Sequence, residues 1–304
     1  MGLKYNGIDI NQIKYNGVLL DKILYNGVVV YEAYDYTRSY FFIKNPSSEY
    51  REFKVRLNAL TATESNPIYI WYYYLGEGRE KPTEPASSIT STGKKTLTFG
   101  LEADGVAVIE LIGGQFEEYN TSYPLFYQDP DLLTKAVIGT NCRSEYHLLY
   151  DNDELTDLIF AIERPFAIYN VPKLTNITFV VNPTYIGSVS RTGLSSFTVP
   201  ANVTSISQIA NNPNLETLTI LPTTIELGQN KFSNNTDLKH MYVYCTSAST
   251  AKSTSYIYSW VNGSNPGMII HLSSTLDMSQ AKALFGDYFN YTSQTDQATV
   301  LFDL

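Results

Sequence analysis

Four stretches of the chain share one apolar spacing, and that spacing restricts the fold more than any other feature. Leu174, Ile177 and Phe179 stand at i, i+3 and i+5. The same offsets return at Leu194, Phe197 and Val199, at Leu215, Leu218 and Ile220, and at Leu238, Met241 and Val243. The first positions, 174, 194, 215 and 238, are 20, 21 and 23 residues apart. A unit of that length cannot bury its apolar residues alone, so successive units must stack as coils of a solenoid around a shared core. Residues i+3 and i+5 lie on one face of a short strand. Val203, Ile206 and Ile209, then Ile225 and Leu227, fall between the strands and are expected to fill the other side of each coil. Pro200 and Pro222 follow the strands, where a residue with no amide hydrogen ends a ladder. Asn211-Asn212-Pro213-Asn214 and Ser233-Asn234-Asn235-Thr236-Asp237 read as polar turns.

Two of these segments carry a resemblance. Leu194-Ser195-Ser196-Phe197-Thr198-Val199-Pro200-Ala201-Asn202-Val203-Thr204-Ser205-Ile206 and Leu215-Glu216-Thr217-Leu218-Thr219-Ile220-Leu221-Pro222 resemble the BspA-like leucine-rich repeats of bacterial surface proteins and of phages that infect such bacteria. The resemblance implies a short solenoid of parallel strands and a role in adhesion. The chain departs from the family pattern in lacking the aromatic-plus-Cys turn of every coil. Phe232-Ser233-Asn234-Asn235 keeps it in part, which leaves the coil register open. A solenoid must close its apolar end. Residues 246–304 are therefore expected to form a mixed α/β cap, with helical spacing over 253–261 and 279–289 and strands at 268–272 and 298–302.

A shorter repeat opens the chain. Tyr5-Asn6-Gly7, Tyr15-Asn16-Gly17 and Tyr25-Asn26-Gly27 recur with a period of ten, flanked by aliphatic residues. Asn-Gly between β-favouring residues is a strong hairpin signal, because a type I′ turn needs positive φ at both central positions. Strands this short are not stable alone and need stacked units or a partner chain to pack on. Two readings stay open: an attachment or assembly segment, and a self-contained meander leading into the next domain. Tandem Tyr-Asn-Gly units look like the N-terminal segments of tail and other minor structural proteins of bacteriophages and prophages. That resemblance implies a virion component docked through residues 1–32.

Between the two repeats, residues 33–120 are expected to be β-sandwich-like and 121–170 an irregular connection to the solenoid at 171–245. Strand candidates are 39–43, 52–57, 68–74, 96–99 and 106–112, with no helical pattern between them. The aromatic run Trp71-Tyr72-Tyr73-Tyr74 invites a sugar-stacking reading, but alternate residues of a strand must enter the core. Asp129-Pro130-Asp131 and Asp151-Asn152-Asp153-Glu154 hint at calcium but lack the spacing of an EF-hand; loop carboxylates or a helix N-cap at Asp151 or Asp153 explain them equally. The fold class expected is mainly β, with α+β character at the C-terminus.

The totals bound the function. Net charge is −9, with the Lys and Arg residues scattered, so the basic stripe that phosphate binding requires is missing and nucleic acid is not an expected partner. No run approaches the ~20 apolar residues of a membrane helix. The start lacks an apolar signal segment, so export by a cleaved signal is not expected. Cys142 and Cys245 have no metal-like spacing and read as buried thiols or one long bridge. His147, His240 and His271 are isolated in sequence, and no nucleophile, phosphate-loop or zinc motif occurs. No catalytic residue, cofactor or metal is expected, and the chain is read as a non-enzyme. Expected partners are other virion proteins through the N-terminal segment, a host surface protein or glycan, and further copies of the chain. The expected place is the virion, assembled in the host cytoplasm. The alternatives are a bacterial cell-surface BspA-like adhesin and, behind it, a carbohydrate-active enzyme.

Overall fold

The computed structural model describes residues 34–76, 81–118, 124–143, 148–165, 167–221, 231–244, 264–265, 267–277, 279–280 and 299–304, together with the backbone of the strand residues within 4–32. Among them the fold is mainly β with almost no helix.

Three short antiparallel pairs begin it: β1 (Lys4–Tyr5) with β2 (Ile8–Asp9), β3 (Ile13–Tyr15) with β4 (Val18–Leu20), and β5 (Lys22–Tyr25) with β6 (Val28–Glu32). Each is a separate two-stranded sheet among the described residues. Asn6, Gly7, Asn16, Gly17, Asn26 and Gly27 lie outside the described residues, as do the side chains of Tyr5, Tyr15 and Tyr25.

Two sheets follow. β7 (Ser39–Lys44), β8 (Arg51–Ala59), β9 (Ile68–Tyr74), β10 (Ser87–Ile89), β11 (Gly93–Leu101), β12 (Val106–Gly113) and β13 (Phe116–Glu118) pair antiparallel in the orders β10-β9-β12-β7 and β11-β8-β13. The period-two pattern explains the faces: along β8, Phe53, Val55, Leu57 and Ala59 are buried while Glu52 and Lys54 are exposed. Phe41, Ile43, Ile70 and Ile109 of the first sheet share one apolar cluster with them. Phe53 meets Tyr72 edge-on at 6.2 Å and stacks on Phe99 at 5.7 Å.

On the reverse face of β12 the carboxylate of Glu110 is fully buried, and Arg38 (2.8 Å) and Lys81 both donate to it. Burial and the adjacent Glu110 charge push the neighbouring Tyr40 hydroxyl up to about 12.

From β14 (Leu133–Ile138) the architecture changes within one sheet. β14 pairs antiparallel with β7 on one side and parallel with β15 (Asp157–Phe160) on the other. The stretch 121–170, expected to be irregular, thus contributes β14, β15 and β16 (Ile168–Val171). The i, i+3, i+5 spacing in fact runs back to Leu155, Leu158 and Phe160 and to Leu133, Ala136 and Ile138, all buried.

The coils continue through β17 (Asn176–Phe179), β18 (Tyr185–Ile186), β19 (Val189–Thr192), β20 (Ser196–Val199), β21 (Ser205–Ile206), β22 (Ile209–Ala210), β23 (Thr217–Ile220), β24 (His240–Val243), β25 (Ile269–Leu272) and β26 (Thr299–Phe302). Four parallel runs form the sides of the stack among the described residues: β14-β15-β17, β20-β23-β24-β25-β26, β16-β19-β22 and β18-β21. Ten of the twelve repeat residues are buried; Ile177 and Phe179 are half-buried and packed against the core.

The strands expected in the C-terminal cap are β25 and β26, parallel members of the same sheet. The helix expected over 253–261 lies outside the described residues, and of 279–289 only Ser279 and Gln280 are described, both helical. Cys142 is buried, while Cys245 and His147 lie outside the described residues.

One coil departs from its neighbours. The inward turn residue and the next repeat leucine are separated by two residues in Val171-Pro172-Lys173-Leu174 and Asn212-Pro213-Asn214-Leu215, but by Gly193 alone in Thr192-Gly193-Leu194. A Cβ at Gly193 would lie 2.3 Å from the Pro172 carbonyl oxygen, so the tightened turn admits only glycine. The β17 and β20 strands on either side belong to different sheets, with Phe179 and Phe197 edge-on at 6.3 Å.

Candidate ligand groove on the solenoid

The turn that closes each coil has a left-handed residue at a fixed place. Asp151, Asn170, Arg191, Asn211 and Asn234 have φ of 55, 55, 54, 59 and 57°. Asn and Asp tolerate this region because a short polar side chain bonds locally, whereas a long side chain is strained there. The Asn170 amide donates to Asp151 Oδ1 at 2.5 Å, and Asn234 Nδ2 donates to Asn211 Oδ1 at 3.1 Å.

The following residue points inward. Asn212 Oδ1 accepts from the Thr192 amide (3.0 Å) and hydroxyl (2.8 Å), and its Nδ2 donates to the carbonyls of Val189 (3.0 Å) and Ala210 (3.2 Å). Asn235 Oδ1 accepts the Asn212 amide in turn (3.0 Å), and Ser264 Oγ accepts the amide of Asn235 (3.1 Å). This buried ladder satisfies turn amides that would otherwise be orphaned between coils.

The shortened coil leaves a trough on this edge. A groove of about 340 Å³ runs between Asn170 and Pro172 on one side and Asn211, Pro213 and Asn214 on the other, with Arg191 between them. Arg191 is exposed, and its guanidinium lies 4.9 Å from the centroid of Tyr169. Tyr169 stacks on Tyr150 at 4.7 Å and 7°. Burial and then the Asp151 carboxylate raise the Tyr150 hydroxyl above its ordinary value. Nearby charges are paired across coils, Glu154 with Lys173 and Glu216 with Lys239, each at 2.6 Å. Among the described residues the Arg191 guanidinium has no carboxylate partner, and no acid lines the groove.

A second constellation lies on the outer face of the five-stranded sheet. His271 Nδ1 meets the Asp303 carboxylate at 2.9 Å, and its Nε2 lies 3.1 Å from His240 Nδ1. The network assigns the tautomers: Nδ1–H of His271 donates to Asp303, and Nδ1–H of His240 donates to His271. Tyr242 stacks on His271 at 4.4 Å and on His240 at 6.0 Å. Among the described residues no hydroxyl or thiol is bonded to either imidazole.

The other residues marked from sequence fall elsewhere. Tyr72 and Tyr74 turn into the space between the first two sheets, and their hydroxyls donate to the Gly100 carbonyl (2.5 and 3.2 Å). Trp71 and Tyr73 take the outer face, where the Lys81 ammonium sits over both rings (4.9 and 5.5 Å). Asp129 and Asp131 both accept from Arg51 (2.9 and 2.6 Å), and hydrogen bonding to that guanidinium holds the Asp131 carboxyl below its usual range. Asp151 sits in a left-handed turn followed by a strand, which removes the N-cap reading.

Sequence reasoning missed Arg191, Tyr169 and the histidine pair. Aligning the coils on their turn residues would have placed Arg191 in a column otherwise held by Asn and Asp. No protein-family model matches the chain, and neither curated proteins nor solved structures give a match.

Proposed function

We propose that the chain is a non-enzymatic binding protein of a bacteriophage particle, a tail, fibre or decoration component. Its N-terminal repeats attach it, and its solenoid faces outward to bind a host surface or another virion protein. The observation that carries the binding role is the groove beside the shortened coil, lined by asparagine, threonine and proline residues with Arg191 among them. Two-stranded ribbons of this size are marginal in water without a surface to lie on, which supports an attachment role for residues 1–32. The Tyr-Asn-Gly repeats resemble those of virion proteins and incline the reading to a particle. Under this reading residues 33–120 form a β-sandwich-like module, the coils are BspA-like leucine-rich repeats, and 246–304 complete a mixed cap.

Deleting residues 1–32 tests the attachment role. Incorporation into particles should be abolished while circular dichroism of the purified remainder keeps its β signature; a truncated protein that still incorporates normally sinks the reading. The second reading, a cell-surface adhesin, draws on the same solenoid. Capsid, portal or tail genes beside this one support the first reading, and sortase or secretion genes support the second.

A further inference from the structure

We infer that the groove around Arg191 is a binding site for an acidic saccharide, with Arg191 taking the sugar carboxylate. The inference rests on the solenoid being the recognition surface and names its ligand class.

Arg191 is the outlier of its column. The other four left-handed turn residues are Asn or Asp, which accept that backbone at small cost, while an arginine there is strained. Strain retained at one coil of five calls for a compensating use of the side chain. Packing on Tyr169 supplies part of it, but an exposed cation–π contact does not need a left-handed arginine. The same coil is the one shortened at Gly193, so the unusual side chain and the trough it borders arise at one place.

The chemistry of the lining selects the ligand. The Arg191 guanidinium lies over the ring of Tyr169, which is itself stacked on Tyr150, and carries five N–H donors for a planar acceptor. A guanidinium matches a carboxylate bidentately. Around it stand the amide of Asn214 and the hydroxyl of Thr236, with the remaining donor and acceptor capacity of Asn170 and Asn211, whose side chains also bond Asp151 and Asn234, and these suit a ligand rich in hydroxyls. The apolar surfaces offered are the rings of Pro172 and Pro213, against which the C–H face of a sugar can pack. No acid lines the groove despite the chain's net charge of −9, and the Asp151 carboxylate beside it is engaged by Asn170 Nδ2.

The full-length chain should be titrated calorimetrically with an oligogalacturonate, its carboxyl-reduced neutral counterpart and an oligoglutamate of equal charge. The oligogalacturonate is expected to bind at least about tenfold tighter than either control, the margin one charge-assisted contact gives, and to weaken as salt rises. Arg191→Asn should lose that margin while its thermal midpoint stays equal or rises, because asparagine suits the left-handed turn. Arg191→Lys should keep the charge and lose most of the preference. The inference is overturned if the oligogalacturonate does not bind, if the neutral sugar or oligoglutamate binds as well, or if Arg191→Asn binds like the wild type. Particle incorporation of Arg191→Asn, which depends on residues 1–32, separates this failure from failure of the attachment reading.

Discussion

Asn212 shows what a single side chain does in this fold. The sequence places it in a polar turn, one of four Asn or Pro residues in a row, and nothing in composition distinguishes it from Asn214 two positions on. In the structure Asn212 is fully buried and its side chain makes five hydrogen bonds to four residues, Thr192, Val189, Ala210 and Asn235, whereas Asn214 is exposed at the groove. The difference is one of direction: after a left-handed residue the chain turns inward, and the amide there replaces water for the Thr192 N–H and two carbonyls. Asn212→Ala should cost about 3 kcal/mol in urea unfolding, the sum of orphaned buried groups at roughly 1–3 kcal/mol each. Asn214→Ala should stay within about 0.5 kcal/mol. Equal effects at the two positions would mean that the ladder is not holding the coils. Local composition could name these residues as turn-forming, but only the stacking of one coil on the next decides which of them faces in.

At the scale of elements, the strands at Leu194, Leu215 and Leu238 were legible because each apolar triplet is large and stands out from Ser, Thr and Asn neighbours. The two earlier triplets carry the same offsets and were obscured by ordinary causes. Ala136 is too small to mark a core position, and Leu155 follows the acidic run Asp151-Asn152-Asp153-Glu154. Periodicity also says which face of a strand is buried without saying which strand lies beside it. Hence the His240–His271 contact, made by strands 29 residues apart in their starts (240 and 269), was not visible from sequence. The coil register is testable at Leu218, which is fully buried between β20 and β24. Leu218→Asp should destabilise by more than about 4 kcal/mol, since it places an unpaired charge between coils. A near-neutral denaturation midpoint would refute the register.

For the whole molecule, the decisive element is β14, which belongs to two architectures at once. Its pairing with β7 and β15 carries one sheet from the antiparallel strands into the coils, and one apolar cluster runs from Phe41 to Leu272. The sequence suggested separate domains at 33–120 and 171–245 because their patterns differ, and a shared sheet leaves no signature in either pattern. Ala136→Asp, at the centre of β14, should therefore lower amide hydrogen-exchange protection both in β9 and in β23. Loss confined to one side would show two independent folding units. The shared strand also has a bearing on self-association. A stack of parallel strands invites another stack to add to its end, which is how open fibres grow. Here the end preceding the coils does not stop at a parallel strand: it passes through β14 into antiparallel neighbours and finishes at β10, three residues long. An incoming β26 would meet at β10 an antiparallel end strand rather than another coil. The two sheets thus end on edges of unlike polarity, β10 antiparallel to its neighbour and β26 parallel to its own.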